Sequence, residues 1–161
     1  MGITLPAIVS PAWGPPVNNA FTELSVTAFT PEEHGLVTWS YDPSQMSTTG
    51  TPVSGTVRMV RLPNFPQNVT ITSLAFHVGT AAVAPVAGQC FIGLYNFSGS
   101  LLGVSADISA AIATGGNKVI PLTVPHAAVP GNYWVGMLFN AATPPAVSCT
   151  ATSSSTRINF N

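Results

Sequence analysis

From Ala20 onward, hydrophobic and polar positions follow one another with a period of two rather than the longer period of a helix. Leu24, Val26 and Ala28 alternate with Glu23, Ser25 and Thr27, and Val37, Trp39 and Tyr41 alternate with Leu36, Thr38 and Ser40. Because successive strand residues point to opposite faces, both segments read as half-buried strands. Gly55 to Leu62 and Val69 to Val78 extend the pattern, with Pro63-Asn64-Phe65-Pro66-Gln67-Asn68 between them as a loop; its two prolines each remove a backbone donor. Gln89 to Phe97 runs into Ser98-Gly99-Ser100 and resumes in Leu101, Leu102 and Val104, the signature of a hairpin. Asn117 to Val124 sets Ile120, Leu122 and Val124 on one face, and Pro130-Gly131-Asn132 opens Tyr133 to Phe139, apolar on both faces and so expected as a central strand. Ala146 to Ala151 and Ser155 to Phe160 are weaker candidates.

Only Asp107 to Ala113 has helical composition, enough for one or two turns. About nine short strands separated by turn signals and almost no helix predict an all-β chain, either a single two-sheet β-sandwich that is jelly-roll-like or a closed barrel. No internal repeat and no second domain stands out.

Residues 1–19 depart from this pattern. Pro6, Pro11, Pro15 and Pro16 interrupt a stretch that carries Ile3, Leu5, Ile8, Val9, Trp13 and Val17. Prolines at this density favour an extended segment without a ladder of its own, so the chain divides into an extended Pro-rich N-terminal arm, 1–19, and a β-sandwich domain, 20–161. Burying an aliphatic side chain is worth roughly 1.5 to 3 kcal/mol, and the prolines lower the entropy lost on ordering. Ile3, Leu5, Ile8, Val9 and Trp13 are therefore the expected partner-binding residues, lying either across a neighbouring chain or around their own domain.

Charge narrows the choice of partner. The 161 residues hold 4 Lys+Arg and 5 Asp+Glu, a charged fraction of 6% and a net charge of −1, where a soluble domain has about 25% charged residues. Four cations are too few for nucleic-acid binding through phosphate neutralisation. Proline, glycine and serine break every apolar run, so no membrane span is expected, and the N-terminus lacks the basic region of a signal peptide. With 18 Thr, 15 Ser, 19 Ala and 17 Val, the surface must be built from small neutral residues. Such a surface suits either self-association within a larger assembly or an extracellular β-domain with a Ser/Thr-rich face.

Groups able to do chemistry are scarce. Glu32-Glu33-His34 is the one dense titratable cluster, and it lacks the spacing that converges on a metal. His77 in a strand and His126 in a turn after Pro125 read as hydrogen-bonded structural residues. Cys90 and Cys149 stand far apart; they could pair, but Cys90 in a strand-like run reads as a small buried hydrophobe. Asn68-Val69-Thr70 and Asn96-Phe97-Ser98 have the form of glycosylation sequons. No nucleophile elbow, phosphate loop or dinucleotide fingerprint occurs, so no enzyme activity, catalytic residue, metal or cofactor is expected. Trp39, Tyr41, Tyr95, Tyr133 and Trp134 could stack on sugar rings, although core packing accounts for most of them.

The stretches Glu33-His34-Gly35-Leu36-Val37-Thr38-Trp39-Ser40-Tyr41-Asp42-Pro43 and Gly55-Thr56-Val57-Arg58-Met59-Val60-Arg61-Leu62-Pro63 resemble a small β-domain that recurs in virion structural proteins of tailed phages of actinobacteria. The resemblance continues through Val86 to Asn96 and Pro130 to Asn140, covering about residues 34–150. It implies a virion structural protein, foremost a capsid decoration subunit on the capsid exterior that is anchored by its arm. The implied partners are further copies of itself in a homotrimer and the major capsid protein or other virion proteins. The alternative it implies is a tail-tip or tail-fibre head module that touches the host surface or its glycans. These motifs are turn and core signatures, so they speak to fold before activity.

Overall fold

The computed structural model describes residues 31–32, 35–43, 46–65 and 68–150. The arm and its five expected partner-binding residues, Ile3, Leu5, Ile8, Val9 and Trp13, lie outside the described residues, as do the candidate strands at 24–28 and 155–160. The chain divides into two units, residues 1–36 and 37–161. Within the first, a turn is closed by Gly35 N–H donating to the Glu32 carbonyl at 2.9 Å and Leu36 N–H to the Pro31 carbonyl at 2.9 Å. The second unit carries the sheets.

Its strands are β1 (Thr48–Gly50), β2 (Val57–Phe65), β3 (Val69–Thr80), β4 (Val83–Pro85), β5 (Phe91–Asn96), β6 (Leu101–Val104), β7 (Gly116–Ala128), β8 (Gly131–Leu138), β9 (Ala141–Thr143) and β10 (Ala146–Cys149). One helical turn, α1 (Ser109–Ile112), lies between β6 and β7. The strands form a sheet ordered β1-β10-β3-β7, a second ordered β2-β8-β5-β6, and a two-stranded ribbon β4-β9. All pairings are antiparallel. Four antiparallel pairs nest, β5 with β6, β3 with β7, β2 with β8, and β1 with β10, while the short β4–β9 pair crosses the two middle ones. The chain therefore runs out along one half of a long antiparallel ribbon and returns along the other. Folding that ribbon over itself drops alternate pairs into opposite sheets, which is a jelly roll. Among the described residues the two four-stranded sheets stay separate, bridged at one corner by Ser105 and Leu122, as in a sandwich and unlike a closed barrel.

The core between the sheets takes Leu62 and Phe65 from β2, Ile71 and Leu74 from β3, Ile92 and Leu94 from β5, Ile120 and Leu122 from β7, and Tyr133 and Met137 from β8. Phe65, Ile92, Leu94, Ile112 and Phe139 are almost wholly enclosed. Tyr133 is buried with its polar end satisfied: its hydroxyl donates to the Val129 carbonyl at 2.9 Å and accepts from Val129 N–H at 3.0 Å, fixing the turn between β7 and β8. The expected β5–β6 hairpin is present. Gly99, at φ 86°, takes the left-handed position, and the Asn96 side chain accepts from Ser100 N–H at 2.8 Å.

Three sequence expectations are corrected. The segment from Pro63, read as a loop, continues β2 as far as Phe65, which pairs with Gly131 after a shift of register beyond Leu62. β2 is an edge strand, where a missing donor and a bulge are tolerated. For the same reason β7, also an edge, runs through Pro121 and Pro125, so His126 lies in a strand opposite Ile71 and not in a turn. Conversely, Leu36 to Tyr41 forms no strand. The place beside β10 is taken by Thr48–Gly50, a segment without apolar alternation, and Tyr41 instead reaches β10 through its hydroxyl, which donates to the Ser148 carbonyl at 2.6 Å.

Candidate functional site

The alternation in β8 places Tyr133, Val135 and Met137 toward the core and Trp134, Gly136 and Leu138 on the outer face of its sheet. Register then fixes what surrounds them. Leu138 lies between Val57 and Phe91, Gly136 between Met59 and Gly93, and Trp134 between Arg61 and Tyr95. On the far side, β6 sets Val104 beside Gly93 and Leu101 beside Tyr95. The outer face is thus an array of aliphatic and aromatic groups with one cation and no carboxylate. Val57, Met59, Phe97 and Leu101 are exposed, Phe97 at 62%.

Gly93 and Gly136 face each other across the two central strands, and a side chain at either would crowd its neighbours. A Cβ at Gly136 would stand 2.7 Å from Cε2 of Tyr95 and 2.9 Å from Sδ of Met59, and one at Gly93 would stand 3.0 Å from Leu101 Cδ1 and 3.3 Å from Tyr95 Cε2. The Tyr95 ring therefore leans over bare backbone, covering the two glycines that would otherwise weaken the strands. Around it lies an open apolar depression of about 180 Å³, lined by Val57, Phe91, Gly93, Tyr95, Val104, Gly136 and Leu138.

At one end of the depression the rings of Phe97 and Trp134 are stacked, with centroids 6.4 Å apart and planes within 19°. The indole N–H donates to the Phe97 carbonyl at 3.4 Å, which orients the ring against the β5–β6 hairpin. Polar groups meet at the same end. Asn132 is two residues before Trp134, and its Oδ1 accepts from the Arg61 guanidinium at 3.0 Å. The site combines an apolar platform with an amide and a guanidinium at its edge.

Elsewhere, side-chain chemistry holds the fold together. His77 Nδ1 and Ser148 Oγ lie 2.7 Å apart and tie β3 to β10, so His77 is hydrogen-bonded as the sequence suggests. Burial, and secondarily the neighbouring Cys149, push the Tyr41 phenol above its usual range. Cys90 and Cys149 are both free thiols, Cys90 buried and Cys149 half-buried. Asp107 accepts from Ser109 Oγ at 2.5 Å and from Cys90 N–H at 3.1 Å; the Ser109 hydroxyl is the largest cause of its carboxyl lying below the ordinary range. Among the described residues, no three His, Cys, Asp or Glu side chains come together as a metal site requires, and no helix is long and apolar enough to cross a membrane.

Of the aromatic residues considered for stacking, the structure brings Tyr95 and Trp134 together on the open face and buries Tyr133. Sequence reasoning missed Phe97, Arg61, Asn132 and the two glycines. A signal was present: Phe91-x-Gly93-x-Tyr95 and Trp134-x-Gly136-x-Leu138 each set a glycine between two large residues on one strand face. No protein-family model matches the chain, and neither does a curated protein or a solved structure.

Proposed function

We propose that this protein is a structural subunit of a phage virion and not an enzyme, most specifically an accessory protein that decorates the capsid exterior in many copies. The observation that carries this reading is the outer face of the long β3–β7 ribbon, where Thr70, Thr72, Ala75, Val119, Pro121 and Thr123 are exposed. They are small, uncharged and set along strands of 12 and 13 residues. A neutral face of this length packs against copies of itself or a shell without burying unpaired charge. The resemblance of residues 34–150 to virion β-domains points the same way. In this reading the copies form a homotrimer, and the segment at 2–17, with Ile3, Leu5, Ile8, Val9 and Trp13, anchors the subunit to the major capsid protein or another virion protein.

The test is direct. Mass spectrometry of purified particles should find the chain, and antibody labelling should place it over the capsid. Sedimentation of the isolated protein should show a trimer that Val119→Glu dissociates. Particles without the chain would refute the proposal. Label on the tail would favour the second reading, a tail-tip or tail-fibre module that touches the host surface, which the open aromatic cluster Tyr95, Phe97 and Trp134 supports.

A further inference from the structure

The aromatic face of the β2-β8-β5-β6 sheet has a shape and chemistry that select one class of occupant. We infer that this face binds a saccharide, with the Tyr95, Phe97 and Trp134 rings stacking on pyranose rings and Arg61 and Asn132 donating hydrogen bonds to ring hydroxyls. The inference goes beyond the capsid reading, holds wherever on a virion the protein sits, and gives the host-glycan alternative a specific binding face.

Size argues first. Four strands about 4.8 Å apart, with about six residues each at about 3.4 Å, give a face roughly 20 Å by 20 Å. That is roughly 400 Å², against roughly 800 Å² per partner in a stable protein pair. A second copy seated here alone would be held weakly, whereas a short oligosaccharide would fit.

Charge and shape argue next. The outward positions offer no carboxylate to pair with a cationic partner and one cation, Arg61, already hydrogen-bonded to Asn132. The matching ligand is uncharged or nearly so, apolar on one side and rich in hydroxyls at its edge. A pyranose has those properties: its C–H groups carry slight positive charge and meet the negative face of an aromatic ring, and its equatorial hydroxyls project sideways. The guanidinium keeps donors beyond the one bonded to Asn132 and presents them as a planar fork. Gly93 and Gly136 leave the sheet bare beneath Tyr95, and the hydrogen bond from Trp134 to the Phe97 carbonyl holds the indole in place. Tyr95 and Trp134 are thus each held by contacts within the sheet, which limits the entropy that their side chains lose on binding.

The experiment is an array of neutral and carboxylated oligosaccharides probed with the full chain, followed by calorimetry on the strongest tetrasaccharide. Binding is expected. Tyr95→Ala and Phe97→Ala should each weaken it by about tenfold or more, Arg61→Gln should weaken it severalfold, and Val83→Ser, exposed on the β4-β9 ribbon, should leave it unchanged. Phe97 is exposed enough that its removal leaves the core intact, so a folded variant is available if Tyr95→Ala fails to fold. No binding at millimolar saccharide, or undiminished binding by Phe97→Ala, would overturn the inference. So would a stable oligomer that Leu101→Asp separates, because this face would then be occupied by another copy. A negative array with the chain still present on particles removes the saccharide alone; a positive array with particles lacking the chain removes the virion reading alone.

Discussion

Phe65→Ala tests whether the edge strand β2 continues past its proline. Phe65 is 1% exposed, and its ring meets Tyr133 edge to face with centroids 4.8 Å apart. A buried Phe removes roughly 150 to 250 Å² from water, of which truncation to Ala returns roughly 100 to 150 Å². At about 25 cal/mol per Å² this is about 2.5 to 4 kcal/mol, and the lost aromatic pair adds about 0.5 to 1.5 kcal/mol. The expected destabilisation is therefore about 3 to 5 kcal/mol, the range found for Phe truncation in packed cores. Urea unfolding followed by circular dichroism measures it as a lower midpoint at unchanged slope. A change below about 1 kcal/mol, the size expected for a residue in a surface loop, would refute the placement of Phe65 in the core.

Three further outcomes are expected. The Asp107 carboxyl is held below its ordinary range chiefly by the Ser109 hydroxyl, with burial opposing and the backbone N–H groups of Gly88, Cys90 and Ser109 assisting. A group depressed in the folded state stabilises it above the unfolded value, about 3.9, and that stabilisation disappears as pH falls through the folded value; thermal melts from pH 7 to 2.5 should show a loss below about pH 4 that Asp107→Asn lacks. In native protein a thiol reagent should modify Cys149 quickly and Cys90, which is 0% exposed, only on unfolding; equal rates would contradict the burial. Ser54 Oγ donates to the Ala141 carbonyl at 2.9 Å and accepts from Ala141 N–H at 3.1 Å, so Ser54→Ala should cost about 1 to 2 kcal/mol in the same urea assay, and a neutral result would mean that water replaces it.

The sandwich was legible wherever alternation and turn chemistry agreed. Phe91 to Asn96, Ser98-Gly99-Ser100 and Leu101 to Val104 announced a hairpin, and Tyr133 to Phe139 announced a strand with neighbours on both sides. It was illegible where position in the sheet overrode composition. A proline excludes a central strand but not an edge, and nothing local distinguishes the edges β2 and β7 from the interior. Leu36 to Tyr41 failed in the opposite sense, because alternation states which side chains are buried but not whether a partner strand exists.

The same distinction explains why the aromatic face was hidden. Apolar residues on both faces of Tyr133 to Phe139 suggested burial on both, yet the structure buries Tyr133 and Met137 and leaves Trp134 and Leu138 on an outer face with exposed Val57, Met59 and Leu101. Contiguous apolar outer faces are where interaction surfaces are found in other proteins, and local alternation does not announce them. Gly93 and Gly136 sharpen the point. Glycine weakens a strand interior relative to alanine by about 0.5 to 1 kcal/mol, so two of them facing each other under Tyr95 lower stability in exchange for room. Gly136→Ala separates the two effects: it should return part of that strand stability while forcing the Tyr95 ring off its seat, because the new Cβ would lie 2.7 Å from Cε2. Tighter folding with a lost aromatic platform would show that the glycines serve the face. Unchanged ring packing, read from the nuclear Overhauser contacts between Tyr95 and Met59, would show that they do not.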